Sequence, residues 1–262
     1  MSLDGKKALV TGATSAIGKA IVLGLARAGV NIAAHYYNEQ DAAQELAEEV
    51  RAAGAKIELF SADFRDSEAA ARLGVEAWRC MNGLEILINN AGVSYKRQFL
   101  DASTEDLDLF TSVNFKSTLL LTRQIAEKMV AGGTKGSIYT VTSVNGIQPS
   151  PGFSIYGATK GALEVLMKGA ALELARHGIR INTIAPGAVQ SDNNIAVWQD
   201  PEALSALNEY IPLNRMGQPE EVASVILALL SSDSYLTGTT IRIDGGWLNR
   251  AGFQAPNKYS QK

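Results

Sequence analysis

Tyr156 and Lys160 stand four residues apart in Y-G-A-T-K, and Ser143 lies upstream of both. If this stretch is helical, positions i and i+4 share a face, so the phenol and the ammonium can look into one pocket. An ordinary tyrosine titrates near ~10 and is a poor base at neutral pH. A fixed cation nearby favours the phenolate and lowers that value. Lowering it by ~3 units takes about 4 kcal/mol, and one unit charge ~4 Å away at an effective dielectric of ~20 supplies about that much. The pair is therefore a candidate general acid/base. Alone it is weak evidence, because a chance Y-x-x-x-K is expected roughly 0.4 times in a chain with this tyrosine and lysine content. It gains meaning only beside a cofactor site and a substrate-orienting group in the right chain order.

The elements that must position these groups alternate along the chain. Candidate strands cover 6–12, 30–36, 55–61, 84–90, 136–143, 179–185 and 239–244, several of them apolar nearly throughout, as parallel strands buried on both faces are. Helical patterns lie near 17–28, 40–53, 67–80, 104–130, 154–177 and 219–230. Gly29, Gly54 and Gly178 stand where C-terminal caps are expected, and Ser103 with Asp106 opens the fourth helix. The alternation predicts an α/β fold: a single-domain, Rossmann-type, doubly wound sheet with helices on both faces. The stretch 186–218 has no strong pattern and is expected to act as a lid near 188–215. A tail follows from 248.

A nucleotide site is legible at the first strand–helix junction, T-G-A-T-S-A-I-G. Gly12 permits the tight turn, and Gly18 lets helix and strand pack closely. Between them Thr14, Ser15, Ala16 and Ile17 lead into a helix N-terminus, whose free N–H groups favour phosphate. Strand before and helix after is the context a dinucleotide fingerprint requires. Ala16 stands where glycine is more usual. The second strand ends A-H-Y-Y-N-E-Q. An acidic residue there would accept the ribose 2′-hydroxyls of NAD and repel the 2′-phosphate of NADP. Tyr36 and Tyr37 are not acidic, Glu39 comes one or more residues late, and no arginine accompanies them. NAD or NADP is expected, NADP slightly favoured, with His35, Tyr36 and Asn38 as neighbours of that group.

Four features then occur in one order: T-G-x-x-x-A-I-G, N-N-A-G at 89–92, Ser143 with Tyr156-x-x-x-Lys160, and Pro186-Gly187. Together they resemble the short-chain dehydrogenase/reductase family over residues 5–247. The resemblance implies seven mostly parallel strands in the order 3-2-1-4-5-6-7. It makes Tyr156 the proton-transfer group, Ser143 a hydrogen-bond partner of the substrate oxygen, and Lys160 the binder of the nicotinamide ribose and tuner of Tyr156. Asn114 matches the fourth catalytic position, where it would hold a water linking Lys160 to solvent. Asp63, with Phe64 beside it, matches the residue that meets the adenine amino group. Asn90, Ala91 and Gly92 would line the adenine-ribose pocket, and Val189 and Ser191 would hold the nicotinamide carboxamide.

Within the family the chain is similar to bacterial glucose 1-dehydrogenases, through G-A-V-Q-S-D-N-N, I-P-L-N-R-M-G-Q-P-E-E and F-Q-A at 253–255. That implies NAD(P)-dependent conversion of a secondary alcohol or hemiacetal, on a sugar or polyol, to its carbonyl. The 3-oxoacyl-[acyl-carrier-protein] reductases share the catalytic set and are the alternative; a non-catalytic binding protein on the same fold is the remote one. Ser94, Asn145, Gln148, Asn193 and Trp198 are candidates for the substrate pocket. The family also implies a homotetramer, paired through the helices near 104–130 and 154–177.

Composition narrows the remaining classes. A net charge of −3 argues against nucleic-acid binding. No apolar stretch is long enough to span a membrane, and the first residues lack an apolar signal core. One cysteine, Cys80, rules out an intramolecular disulfide, so a cytoplasmic location is expected. His35 and His177 have no ligand-spaced partners, and no metal site is expected.

Overall fold

The structure is a computed structural model and describes residues 2–231 and 235–250. Seven strands form one sheet: β1 (Lys7–Val10), β2 (Asn31–Tyr36), β3 (Ile57–Ser61), β4 (Ile86–Asn89), β5 (Ser137–Val141), β6 (Arg180–Pro186) and β7 (Thr240–Ile243). Their order is β3-β2-β1-β4-β5-β6-β7, and every pairing is parallel. The order reverses between β1 and β4, where such sheets open a crevice at the carboxyl ends of the strands.

The long helices are α1 (Ala16–Arg27), α2 (Gln40–Ala52), α3 (Ser67–Cys80), α4 (Thr104–Phe110), α5 (Ser117–Ala131), α6 (Ser154–Leu174) and α9 (Pro219–Ser231). Side chains alternate along each strand, so each strand feeds two cores. In β2, Ile32 and Ala34 join Ile21, Leu25 and Ile226 on the face covered by α1, α2 and α9. Ala33 joins Leu73, Leu121 and Leu163 on the face covered by α3, α5 and α6. Each fully buried aliphatic side chain contributes roughly 1.5–3 kcal/mol relative to exposure. The expected caps are present: Gly29, Gly54 and Gly178 have φ of 81°, 86° and 74°, and Ser103 and Asp106 form a complete capping box.

Two expectations change. The single helix read over 104–130 is interrupted: residues Thr111–Lys116 form a wide π turn between α4 and α5. A π turn inserts an extra residue into the helical repeat, a distortion that often marks functional positions; this one carries Asn114, fully buried. The patternless 186–218 segment holds two short helices, α7 (Ile195–Trp198) and α8 (Pro201–Glu209). The start of α8 was readable in D-P-E. The Asp200 carboxylate accepts the N–H groups of Glu202 and Ala203, and Pro201 occupies the first turn. F-Q-A and the tail from 251 lie outside the described residues.

Candidate active site

Ser143 follows the end of β5, Tyr156 sits in the first turn of α6, and Lys160 one turn further on the same face. Lys160 is buried and its Nζ donates to the Val141 carbonyl at 2.9 Å. Burial without a carboxylate partner lowers its pKa to about 8. The ammonium stands 5.8 Å from the centre of the Tyr156 ring, over its face. Phe110 and Phe153 approach the same ring edge-on, at 6.2 and 5.9 Å.

In this arrangement burial pushes the Tyr156 phenol above its ordinary value, opposed by hydrogen bonding to the Ser143 and Ser94 hydroxyls. The expected depression by Lys160 is not what the geometry produces. The ammonium is directed to the Val141 carbonyl and stands over the ring, and burial of the phenol outweighs its hydrogen bonds.

Asn114 reaches out of the π turn and clamps the chain after β4. Its Nδ2 donates to the Val93 carbonyl at 3.0 Å, and its Oδ1 accepts the Val93 N–H at 2.8 Å. The next residues are tied down by Asp106, whose carboxylate accepts the Tyr95 hydroxyl at 2.6 Å and pairs with Arg97 Nε at 2.9 Å. These bonds, the Tyr95 hydroxyl foremost, hold Asp106 down to about 2. The segment 93–97, which includes Ser94, is thus anchored at both ends.

A cavity of about 390 Å³ lies over the carboxyl ends of β1, β2 and β4. Gly12, Thr14, Ser15, His35, Asp63, Phe64, Asn90, Ala91 and Gly92, all expected at the cofactor, line it. Its glycine cradle and lining fit the adenosine-phosphate half of a dinucleotide; Tyr156, Lys160 and the 186–191 segment are not among its walls. A Cβ on Gly18 would collide with the Gly12 carbonyl oxygen, so the helix start can approach the strand end only without one. Ser15 caps that helix by accepting the Gly18 N–H. Gly92 joins cavity and catalytic corner: a Cβ there would lie 3.1 Å from Asn114 Oδ1 and 3.3 Å from Lys160 Nζ.

Other expected residues lie elsewhere. Ala16 and Ile17 belong to the first turn of α1, and neither they nor Gly18 face the cavity directly. Tyr36 and Asn38 are not among its walls. Side chains alternate along β2, so Tyr36 turns to the opposite face, where its hydroxyl donates to Gln40 Oε1 at 2.6 Å. Asn38 takes up the left-handed turn, with φ of 58°. Pro186 ends β6 and Gly187 follows it; Val189 is buried beyond them, and Ser191 caps a short turn with Asn194. Of the substrate candidates, Asn145 accepts the Ser150 N–H and Trp198 Nε1 donates to the Ser191 carbonyl, so both brace loops. Gln148 and Asn193 are exposed.

A profile described as enoyl-(acyl carrier protein) reductase matches residues 12–248. The chain superposes on a short-chain dehydrogenase/reductase from Serratia marcescens BCRC 10948 with a TM-score of 0.88 at 32% identity, covering 94% of this chain and 99% of that one. The chain belongs to the short-chain dehydrogenase/reductase family. This dehydrogenase is also 34% identical over 243 residues to a glucose 1-dehydrogenase of Gluconobacter oxydans (strain 621H), with 92% of this chain and 91% of the relative covered. An L-rhamnose 1-dehydrogenase (NAD(P)(+)) of Sphingomonas sp. (strain SKA58) is 31% identical over 245 residues, 93% and 96% covered. The enzyme is an NAD(P)-dependent oxidoreductase acting on CH–OH groups.

Sequence reasoning missed three polar walls of this dehydrogenase's cavity, Tyr37, Glu39 and Arg65, and four apolar ones, Ala62, Val93, Leu109 and Val113. Glu39 is not too late, because the reversal at Asn38 brings its carboxylate onto the Thr14 hydroxyl. Nor does the strand end lack an arginine. Arg65 pairs with the Asp63 carboxylate, donates to the Tyr37 hydroxyl and lies 5.4 Å from that ring's centre. A signal existed: β2 and β3 are parallel neighbours, with Tyr36 opposite Ser61, so the loops that follow them must meet at one edge. Among the described residues no cluster could hold a metal ion, and no helix is long and apolar enough to cross a membrane.

Proposed function

We propose that this dehydrogenase interconverts a sugar or polyol hydroxyl, as a secondary alcohol or hemiacetal, and its carbonyl. Tyr156 is the proton-transfer group: its oxygen takes the alcohol proton in oxidation and returns it in reduction. Ser143 donates to the same substrate oxygen and holds the carbinol carbon in register. Lys160 binds the nicotinamide ribose hydroxyls, and Asn114 fixes Val93 and keeps the Lys160 pocket open. The bound nicotinamide supplies or takes the hydride. Asp63 and Phe64 serve the adenine end, and Val189 and Ser191 the carboxamide. The observation that carries this reading is the contact at Gly92, where the nucleotide cavity abuts Lys160 and Asn114.

The sugar reading is supported by the glucose and rhamnose dehydrogenases among the relatives. One observation favours a second reading, reduction of a 3-oxoacyl thioester. Ile147, Ile195 and Leu213 are exposed on the segments that follow β5 and β6, apolar surface of the kind an acyl chain covers. A spectrophotometric panel separates the two by pairing NAD and NADP with aldoses, polyols, simple secondary alcohols and a 3-oxoacyl thioester. Aldose or polyol oxidation dominating supports the first reading; thioester reduction dominating replaces it.

The enzyme works as one catalytic domain in the cytoplasm, as a homotetramer. Val165 and Leu172, 72% and 82% exposed on the outer face of α6, support pairing there. The open edge of β7 supports a second contact. A monomer mass in light scattering at micromolar concentration contradicts the assembly.

A further inference from the structure

His35 is buried at the end of β2, beneath the glycine-rich turn, and makes two bonds that define its state. Its Nδ1 accepts the Gly12 N–H at 3.2 Å, and its Nε2 lies 3.1 Å from the Ala62 carbonyl. A nitrogen that accepts from an amide carries no proton, so the proton sits on Nε2 and is donated to Ala62. The main-chain carbonyl of His35 accepts the Ala13 N–H at 2.8 Å. The imidazole lies flat on Phe64, with ring centres 4.1 Å apart and planes within 4°. One side chain thus ties the phosphate-binding turn to the loop after β3, and both are walls of the cavity.

We propose that His35 is a positioning residue for cofactor binding, which holds the Gly12 turn through neutral Nδ1 and buttresses Phe64. The inference rests on the reading of this cavity as the NAD(P) site. Gly12 has φ of 60°, and its N–H is bonded to the His35 ring. Without an acceptor there, a part-buried donor would be left unsatisfied and the turn would relax. Burial lowers the His35 pKa to about 4, so the accepting form persists through neutral pH. The charged and titratable groups around it are committed elsewhere: Asp63 and Tyr37 to Arg65, and Glu39 to Thr14. Its other neighbours are apolar: Phe60 stands opposite it on β3, and Phe64 of the following loop stacks on the ring.

The chain has two histidines, His35 and His177, so long-range nitrogen–proton correlation spectra can follow both, with His35→Asn making the assignment. The expected spectrum at neutral pH shows His35 neutral with its proton on Nε2. A proton on Nδ1, or an imidazolium, overturns the proposal without any variant. Reduced-cofactor binding by fluorescence supplies the second arm. His35→Leu should weaken it about tenfold, the size of one lost hydrogen bond. His35→Asn, whose carboxamide oxygen can accept the same N–H, should stay within about threefold. Equal binding by wild type and His35→Leu overturns the inference. A Gly18→Val control separates the two levels. If it loses cofactor while His35→Leu does not, only the role of His35 fails; if it too binds normally, the site reading fails and the inference with it.

Discussion

The catalytic corner and the rim of the nucleotide cavity are built on different physical terms. In the corner, Lys160 and Asn114 are buried and bonded to main-chain atoms of distant elements, Val141 and Val93. At the rim, Tyr37, Asp63 and Arg65 hold one another side chain to side chain, and Glu39 accepts the Thr14 hydroxyl, all at exposed contacts. Main-chain anchors in the interior cannot relax without moving a strand or helix. Exposed pairs are worth little individually and can be exchanged. Under the proposed function, reaction geometry would reside in the rigid half and the choice between cofactors in the adjustable half.

The sharpest way to break this contrast is to cut the corner's buried cation. Lys160→Ala should lower turnover by about 10²–10³ and weaken cofactor binding as well, because one side chain serves both tasks. Steady-state kinetics with direct binding measurements check it. A kinetic loss with unchanged affinity would remove the ribose-binding role.

A smaller effect tests the boundary between the halves. The His35 pKa is lowered from 6.5 to about 4, so the unfolded chain takes up its proton at higher pH than the native one. The neutral state favoured by the fold is fully stable above ~6.5, and stability is lost as pH falls towards 4, by about 3 kcal/mol from this group. Urea unfolding across that range should show His35→Asn losing less than wild type. Parallel pH curves would mean that His35 is not held neutral.

The smallest effect is expected at the rim. Glu39→Gln removes a carboxylate from the wall near Thr14 and should raise the ratio of kcat/KM for NADP over NAD roughly three- to tenfold. Arg65→Ala should lower the same ratio by a similar factor. If these variants change turnover with both cofactors equally, the rim is catalytic after all and the contrast fails.

The same contrast explains what was legible in the sequence. Tyr156 and Lys160 stood out because their spacing puts them on one helical face, and Ser143 and Asn114 came from the family resemblance; the structure brings Lys160 and Asn114 together beside Gly92. The sheet order followed from the alternation of buried strands and amphipathic helices together with the family resemblance. The π turn at Thr111–Lys116 was not legible, since its residues continue an ordinary helical pattern and only the pull of Asn114 on Val93 reveals it. Glu39 and Arg65 were missed because their meeting depends on a left-handed turn at Asn38 and on the register of β2 against β3. The backbone bonds of Asn145 and Trp198 were not legible, because a polar group in a loop reads the same in sequence whether it faces a ligand or braces its own backbone.

The central claim is that Tyr156 moves the proton and does not hold the cofactor. Tyr156→Phe keeps the ring that packs between Phe110 and Phe153 and removes only the oxygen. Turnover on the best alcohol from the substrate panel, measured together with reduced-cofactor binding by fluorescence, tests this directly. The account predicts a loss of about 10²–10⁴ in turnover with the cofactor dissociation constant nearly unchanged. Near wild-type turnover in that variant would contradict it.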